Sequence, residues 1–343
     1  MTKFYKANPN STLSGTIRTN PADFQVDEIQ QFSPSGRGEH VWLHIQKTGE
    51  NTDWVGGLLA KIADVPRKDV SYAGMKDRHA VTTQWFSVQM PGREAPDWQS
   101  QLPDSIIVLD EQRHDRKLKR GTLKGNAFKL IIRDFVGAGS DKENEAELKA
   151  SIERIVNQGI PNYFGEQRFG RDGENIRKAS QWFKGEFKVK SRPKRSIYLS
   201  AARSWIFNHI LSERVKNGTW NTAVQGDVFM LDGSKSCFCD EVDKDISQRL
   251  QDQKLHPTGA LWGRGELGSQ NEIAELENKI ASEFKILCEG LGKHGLKQER
   301  KALRLSVKDL EYSLIDKEVL CLTFSLPAGA YATSVLSEIG DFS

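Results

Sequence analysis

Ser71-Tyr72-Ala73-Gly74-Met75-Lys76-Asp77-Arg78-His79-Ala80-Val81-Thr82-Thr83-Gln84-Trp85-Phe86 is the densest run of chemistry in the chain. Taken alone, an aspartate between a lysine and an arginine is a solvated turn residue. In an extended backbone, however, Asp77 points to one face while Lys76 and Arg78 point to the other. The carboxylate can then face a cleft while its neighbours reach phosphates or structural acids.

The surroundings of this stretch are mostly short strands. Asp23–Ile29, Val41–Ile45, Trp85–Met90 and Ala127–Arg133 have the β-branched and aromatic content and the length of strands. One helix interrupts them, capped by Thr52 with Trp54, Val55, Leu58, Leu59 and Ile62 on one face. A second is predicted from Lys142 to Gln158, with Leu148, Ile152, Ile155 and Val156 inward. Gly159 and Pro161 stop it, because glycine accepts the left-handed cap and proline cannot continue the helix. Helices are then predicted over Glu174–Lys184, Leu199–Lys216 and Glu272–Cys288. Strands return after Leu303, with Glu318–Leu326 the clearest. A helix-rich middle between β-rich ends predicts an insertion, the first and last segments sharing one sheet.

Composition narrows the function. A chain of 343 residues with 37% hydrophobic content is long enough for two globular domains. No run approaches the ~18 apolar residues of a membrane span, and Met1-Thr2-Lys3-Phe4 does not open a signal peptide, so a soluble, cytoplasmic protein is expected. Cys237 and Cys239 are spaced too closely for a zinc pair, and Cys288 and Cys321 stand alone, so four reduced thiols and no metal are expected. Gly263-Arg264-Gly265-Glu266-Leu267-Gly268 matches a dinucleotide loop, but no buried strand is predicted before it, which leaves a loop ahead of a helix. His40 and His44 flank one strand without a companion carboxylate motif and read as ordinary core or surface histidines.

A net charge of +3 is only mildly basic, yet the cations are grouped. One run is Arg113-His114-Asp115-Arg116-Lys117-Leu118-Lys119-Arg120, extended by Lys124. Lys188, Lys190, Arg192, Lys194 and Arg195 form a second, and Lys293 through Arg304 a third. Any one run is ordinary solvated surface; three, apart from the acidic segments, point to a polyanion. Directly after the first come Lys124-Gly125-Asn126-Ala127-Phe128. Glycine permits close approach, asparagine can read a base edge and phenylalanine offers a stacking face, whereas the plain reading is a turn and a buried strand residue. Pro161-Asn162-Tyr163-Phe164-Gly165-Glu166-Gln167-Arg168-Phe169-Gly170 reads as an interdomain hinge packed by its own rings.

Five ordered motifs carry a resemblance. Ala73 through Gln84, Lys124 through Phe128, Asn162 through Gly170, Leu199-Ser200-Ala201-Ala202-Arg203-Ser204, and Leu326-Pro327-Ala328-Gly329-Ala330-Tyr331-Ala332-Thr333-Ser334-Val335 together resemble the tRNA pseudouridine synthase D (TruD) family. The resemblance implies an α+β fold: a pseudouridine synthase catalytic domain on a mixed or antiparallel sheet, interrupted by the family's inserted α+β domain. Residues 1–158 and 304–343 would form the first, 159–303 the second. It implies a tRNA substrate, uridine 13 of the D arm as target, and neither cofactor nor metal. The catalytic aspartate falls on Asp77, and substrate contacts fall on Phe24, Asn126, Phe128 and Tyr331, the last a position where relatives can carry phenylalanine.

Pseudouridine formation breaks the C1′–N1 bond, turns the uracil and rejoins it through C5. The target uridine is expected to flip from the tRNA stack into a cleft between the domains and to stack on Phe24 and Phe128, at ~1–3 kcal/mol per contact. Asp77 can attack C1′, add to the ring or remove the 2′ proton, three roles the sequence leaves open. Arg113, Arg116, Lys117, Lys119, Arg120 and Lys124 are expected on the RNA backbone. The competing readings are a non-catalytic tRNA-binding or folding protein on the same scaffold and an aspartate-dependent nucleosidase. With no apolar heptad seam, a monomer is expected.

Overall fold

The computed structural model describes residues 4–31, 33–119 and 121–343. The chain runs β1 (Ser14–Thr16), β2 (Phe24–Gln30), β3 (His40–Thr48), α1 (Thr52–Ile62), β4 (Val70–Tyr72), β5 (Val81–Gln89), β6 (Ile106–His114), β7 (Leu123–Val136) and α2 (Asp141–Gln158). Next come β8 (Ile160–Pro161), α3 (Glu174–Phe183), α4 (Arg192–Lys216), β9 (Val228–Leu231), β10 (Cys237–Cys239), α5 (Lys244–Gln251) and β11 (Leu255–Leu261). After these follow α6 (Asn271–Glu283), α7 (Lys285–Lys293), β12 (Glu299–Ala302) and β13 (Arg304–Leu305). The last elements are β14 (Lys308–Asp316), β15 (Val319–Pro327), α8 (Ala332–Ile339) and β16 (Asp341–Phe342).

The larger sheet has the order β14-β15-β7-β2-β5-β3-β6, with β1, β16 and β4 on its margins. It is mixed: β2 and β5 run parallel, while the other steps along that order are antiparallel. The expected sharing of one sheet by the first and last segments is realised where β15 pairs with β7, Phe324 opposite Phe128. Strand β3 is buried on both faces. Val41, Leu43 and Ile45 pack with Val55, Leu59 and Phe86, whereas Trp42 joins Ala73, Trp85 and Leu118 on the other side.

Two helix details differ from the sequence reading. Asn51, not Thr52, is the cap of α1, its side chain accepting from the Asp53 and Trp54 amides, which releases the Thr52 hydroxyl for other work. Trp54 is 45% exposed and Val156 is 43% exposed, so neither joins the buried stripe of its helix. Each lies one step round from a buried neighbour, Val55 and Ile155, where the apolar pattern is wider than the contact it serves.

The helical middle is organised on α4, whose Ala202, Ile206 and Ile210 face Ala260 of β11 and Ile280 of α6. This helix starts at Arg192 rather than Leu199. Ser191 caps it and Pro193 sits in its first turn, but the early turns are exposed and carry no apolar signal. The expected helix Glu272–Cys288 is two, broken at Phe284, and Gly290 lies inside the second, where a β-carbon would strike the Phe183 ring. A buried strand, β11, does precede Gly263, Pro257 and Gly259 included, contrary to expectation. It pairs antiparallel with β9 and β12, so the parallel crossover of a dinucleotide fold is still missing there.

The chain packs as two compact units. One contains Thr12–Leu148, Lys308–Ala332 and Gly340–Ser343; the other contains residues up to Ser11, Lys149–Val307 and Thr333–Ile339. The limits expected at 158/159 and 303/304 both lie inside the second unit. There Arg154 of α2 donates to the Glu338 carbonyl at 2.9 Å, and Arg304 pairs with Pro161 in the β8–β13 ladder. The apolar period of α2 runs on unbroken and so carries no mark of where its packing partner changes. The aromatic segment 161–170 belongs to this unit and is fastened rather than hinged. The Phe164 amide and carbonyl exchange hydrogen bonds of 2.9 Å with the buried Asn208 amide, and its rings pack on Phe4, Trp205 and Phe207 rather than on each other.

Candidate active site

Three of the candidate residues, Phe24, Asn126 and Phe128, share one face of the larger sheet. In β2, Phe24, Val26 and Glu28 alternate onto that face, and in β7 they meet Leu130, Phe128 and Asn126 directly opposite. Strand β15 adds Phe324 beside Phe128 and Leu326 beside Asn126. The result is an aromatic patch with a polar pair at its end. Phe128 stacks on Phe324 at 5.2 Å and meets Phe24 edge-on at 6.4 Å. Pro327 lies opposite Gly125. Tyr331, part-buried, follows four residues later, just ahead of α8.

Asp77 sits in the loop between β4 and β5, and buried side chains hold the backbone of that loop. Gln84 donates its amide to the Gly74 carbonyl at 3.2 Å. The freed Thr52 hydroxyl accepts from the Lys76 amide at 3.0 Å and itself donates to Gln84. Lys47 donates to the carbonyls of Asp77, at 3.0 Å, and of Glu50, at 2.7 Å. Burial pushes the Lys47 ammonium down to about 8, against the pull of the Asp77 and Glu50 charges that raises it.

With its backbone so held, Asp77 turns outward, its side chain 55% exposed. Lys76 turns inward and reaches a structural acid, Glu28, at 3.2 Å, while Arg78 is exposed and bonds the Gly49 carbonyl. The opposing cation is neither neighbour. Arg18 brings Nη2 to 3.6 Å from Asp77 Oδ2, and its guanidinium lies 4.2 Å over the Phe24 ring. Such a half-exposed pair is worth at most about 1 kcal/mol in water, and more once a ligand excludes solvent. Phe24 is fully buried beneath Arg18, so a base can stack on it only after Arg18 moves aside.

Sequence reasoning missed Arg18, Glu28, Lys47 and Thr52. Two of them left a signal. The alternation Phe24, Val26, Glu28 and the alternation Val41, Leu43, Ile45, Lys47 each end on a charge at an inward position. Arg18, isolated and at φ 61°, left none.

The first basic run lies between β6 and β7 and is anchored near the same loop: Leu118 packs with Ala73, and the Arg116 carbonyl accepts from the Trp42 indole at 2.9 Å. Arg116, Lys119 and Lys124 are exposed. Arg113 is turned to the Met90 and Arg93 carbonyls and Lys117 to that of Lys68. Arg120 lies outside the described residues. The third run is not a free basic patch. Arg300 bonds Glu277 and Thr258, the half-buried Lys301 lies over the Phe164 and Phe207 rings, and Arg304 bonds His256 and two carbonyls. These cations serve the interior of their own unit.

Among the described residues, no helix is long and apolar enough to cross a membrane. The features together describe an α+β protein with a mixed sheet, buried aromatic rings on one of its faces and a loop that exposes the Asp77 carboxylate. The family described as tRNA pseudouridine synthase D (TruD) matches residues 3–178 and 174–339. A tRNA pseudouridine synthase D of Methylococcus capsulatus is 48% identical over 338 residues, covering 98% of this chain and 94% of the relative. That of Hydrogenovibrio crunogenus is 45% identical over 336 residues, covering 98% and 95%. A solved Methanosarcina mazei structure assigned to tRNA pseudouridine synthase D superposes with a TM-score of 0.75 at 24% identity, covering 98% of this chain and 95% of that one. The chain belongs to the tRNA pseudouridine synthase D family.

Proposed function

We propose that this chain is a tRNA pseudouridine(13) synthase, an isomerase that converts uridine to pseudouridine in the D arm of tRNA, with Asp77 as its catalytic carboxylate. The observation that carries the reading is Asp77 itself. It is a half-exposed carboxylate on a backbone clamped from beneath by Lys47, Thr52 and Gln84, in a chain nearly half identical to curated synthases along almost its whole length.

The reaction is an exchange within one nucleotide. The C1′–N1 bond breaks, a C1′–C5 bond forms, C5 gives up its proton and N1 regains one. No electrons are lost and no nucleotide is consumed, so the proposal calls on no cofactor. Asp77 serves by attack on C1′, by addition to the ring or by taking the 2′ proton; in each case Arg18 holds its charge once the base has displaced water. Asn126 meets the uracil edge, and Phe128 and Tyr331 bound the base, with Phe24 supporting Arg18 from below. The exposed cations Arg116, Lys119 and Lys124 hold phosphates, which positions the tRNA without reading its sequence.

The test is tritium release from a tRNA transcript carrying C5-tritiated uridine, with wild type and Asp77→Asn. Release by wild type alone, with pseudouridine mapped to a single D-arm position, is the expected result. Release by both proteins moves catalysis off Asp77. Tight tRNA binding without release by either favours a non-catalytic tRNA-binding protein.

A further inference from the structure

We propose that Lys76 is a positioning residue that locks the side-chain amide of Asn126 with its NH2 end free, so that the site offers the base a donor and selects uracil over cytosine. The inference rests on the reading of the chain as a uridine isomerase and adds how the base is chosen.

Lys76 Nζ lies 2.7 Å from Asn126 Oδ1 and 3.2 Å from Glu28 Oε1, and its side chain is almost fully buried. An ammonium has three donors and no acceptor, so whichever way the amide is drawn, its oxygen has to face Lys76. The flipped amide would set NH2 against NH3+ and leave a buried donor without a partner. Lys76 itself cannot swing away cheaply. Glu28, buried and directly opposite Asn126 in the β2–β7 ladder, holds it, and the other Glu28 oxygen accepts from the Trp85 amide at 2.8 Å and from Gln30 at 3.2 Å.

The far end of Asn126 is left over. Among the described residues its NH2 group makes no hydrogen bond, although Asn126 is only 9% exposed. Phe128, two residues along the same strand, puts a ring on the same face. An asparagine free to rotate could match either pyrimidine, giving to the C4 carbonyl of uracil or accepting from the C4 amino group of cytosine. With its oxygen already committed to Lys76, Asn126 can only give. Uracil then gains a hydrogen bond, whereas cytosine meets it donor to donor.

The experiment compares two tRNA transcripts, one with the target uridine and one with cytidine in its place. Dissociation constants are measured for both with wild type, Lys76→Met and the double variant Glu28→Gln/Lys76→Met, which leaves no unpaired carboxylate and so guards against simple unfolding. Wild type should prefer the uridine transcript, and both variants should lose about tenfold of that preference, chiefly by binding the cytidine transcript more tightly, because the freed amide can now accept from the cytosine amino group. A variant that melts cooperatively like wild type and keeps the full preference overturns the lock. Equal weakening toward both transcripts also overturns it, since that is the signature of a purely structural role. Wild type that makes no pseudouridine and shows no preference fails one level earlier and removes the synthase reading with the inference.

Discussion

Both units bury an arginine or lysine against a carboxylate, but the two networks end differently. In the helical unit Arg214 gives both terminal nitrogens to Asp227, at 2.7 and 2.9 Å, and Nε and Nη2 also donate to the Thr219 carbonyl. Asp227 in turn accepts from the Val224 amide. The network closes on itself. In the sheet unit the hydrogen bonds run from Trp85 through Glu28 and Lys76 to Asn126, where they stop at an amide with one end unspent. A closed network fixes the end of a helix to the loop beside it. An open one presents a group of known polarity to whatever arrives. Burial of charge therefore does not by itself mark a site; an unfinished network does.

The contrast between a working site and a closed support can be challenged at several points, with effects of descending size. Asp77→Asn should reduce the isomerisation rate by about 10^4-fold or more, a barrier increase of about 5 kcal/mol. The urea midpoint should not move, because a half-exposed side chain holds little of the fold. A shared loss of stability would make Asp77 structural. Arg214→Met should do the reverse. It strands Asp227 in the interior and should cost about 3–5 kcal/mol in urea unfolding. A cost below about 1 kcal/mol would show that the closed network is dispensable.

Lys47 offers a test through pH. Its folded value, about 8, lies below its ordinary 10.5, so between these limits the unfolded chain holds a proton that the folded chain has released. Stability from this group must then rise with pH across that window, by up to about 3 kcal/mol, and the penalty is fully present below about pH 8. Lys47→Met should flatten that rise, as followed by urea unfolding from about pH 7 to about pH 10.5. A curve parallel to wild type would mean that the ammonium is not desolvated in solution. The smallest effect belongs to the exposed cations. Arg116→Ala/Lys119→Ala should weaken tRNA binding by about 1 kcal/mol and lower the salt slope by about 0.7–0.9 for each phosphate no longer neutralised. An unchanged slope would place the tRNA elsewhere.

Much of the fold was legible because its signals are local. β-branched and aromatic content at strand length marked β2, β3, β7 and the later half of β5. The Gly159 stop is real as well, with φ at +73°. The misreadings have local causes too. Asn51 and Thr52 are both good caps, and only their hydrogen bonds separate them. The exposed first turns of α4 carry no apolar period. In the third basic run, Arg300, Lys301 and Arg304 look solvated because a sequence shows charges without their carbonyl and ring partners.

The order of the motifs and the apolar periods, both properties of neighbouring residues, were enough to assign the family, the α+β class and Asp77 as the residue to examine. They could not supply Arg18 across from Asp77, nor Lys76 against an asparagine fifty residues away in the sequence. Those pairings exist only once β2, β5 and β7 lie side by side, because strand register, not sequence spacing, decides which side chains share a face and which donor is left unspent.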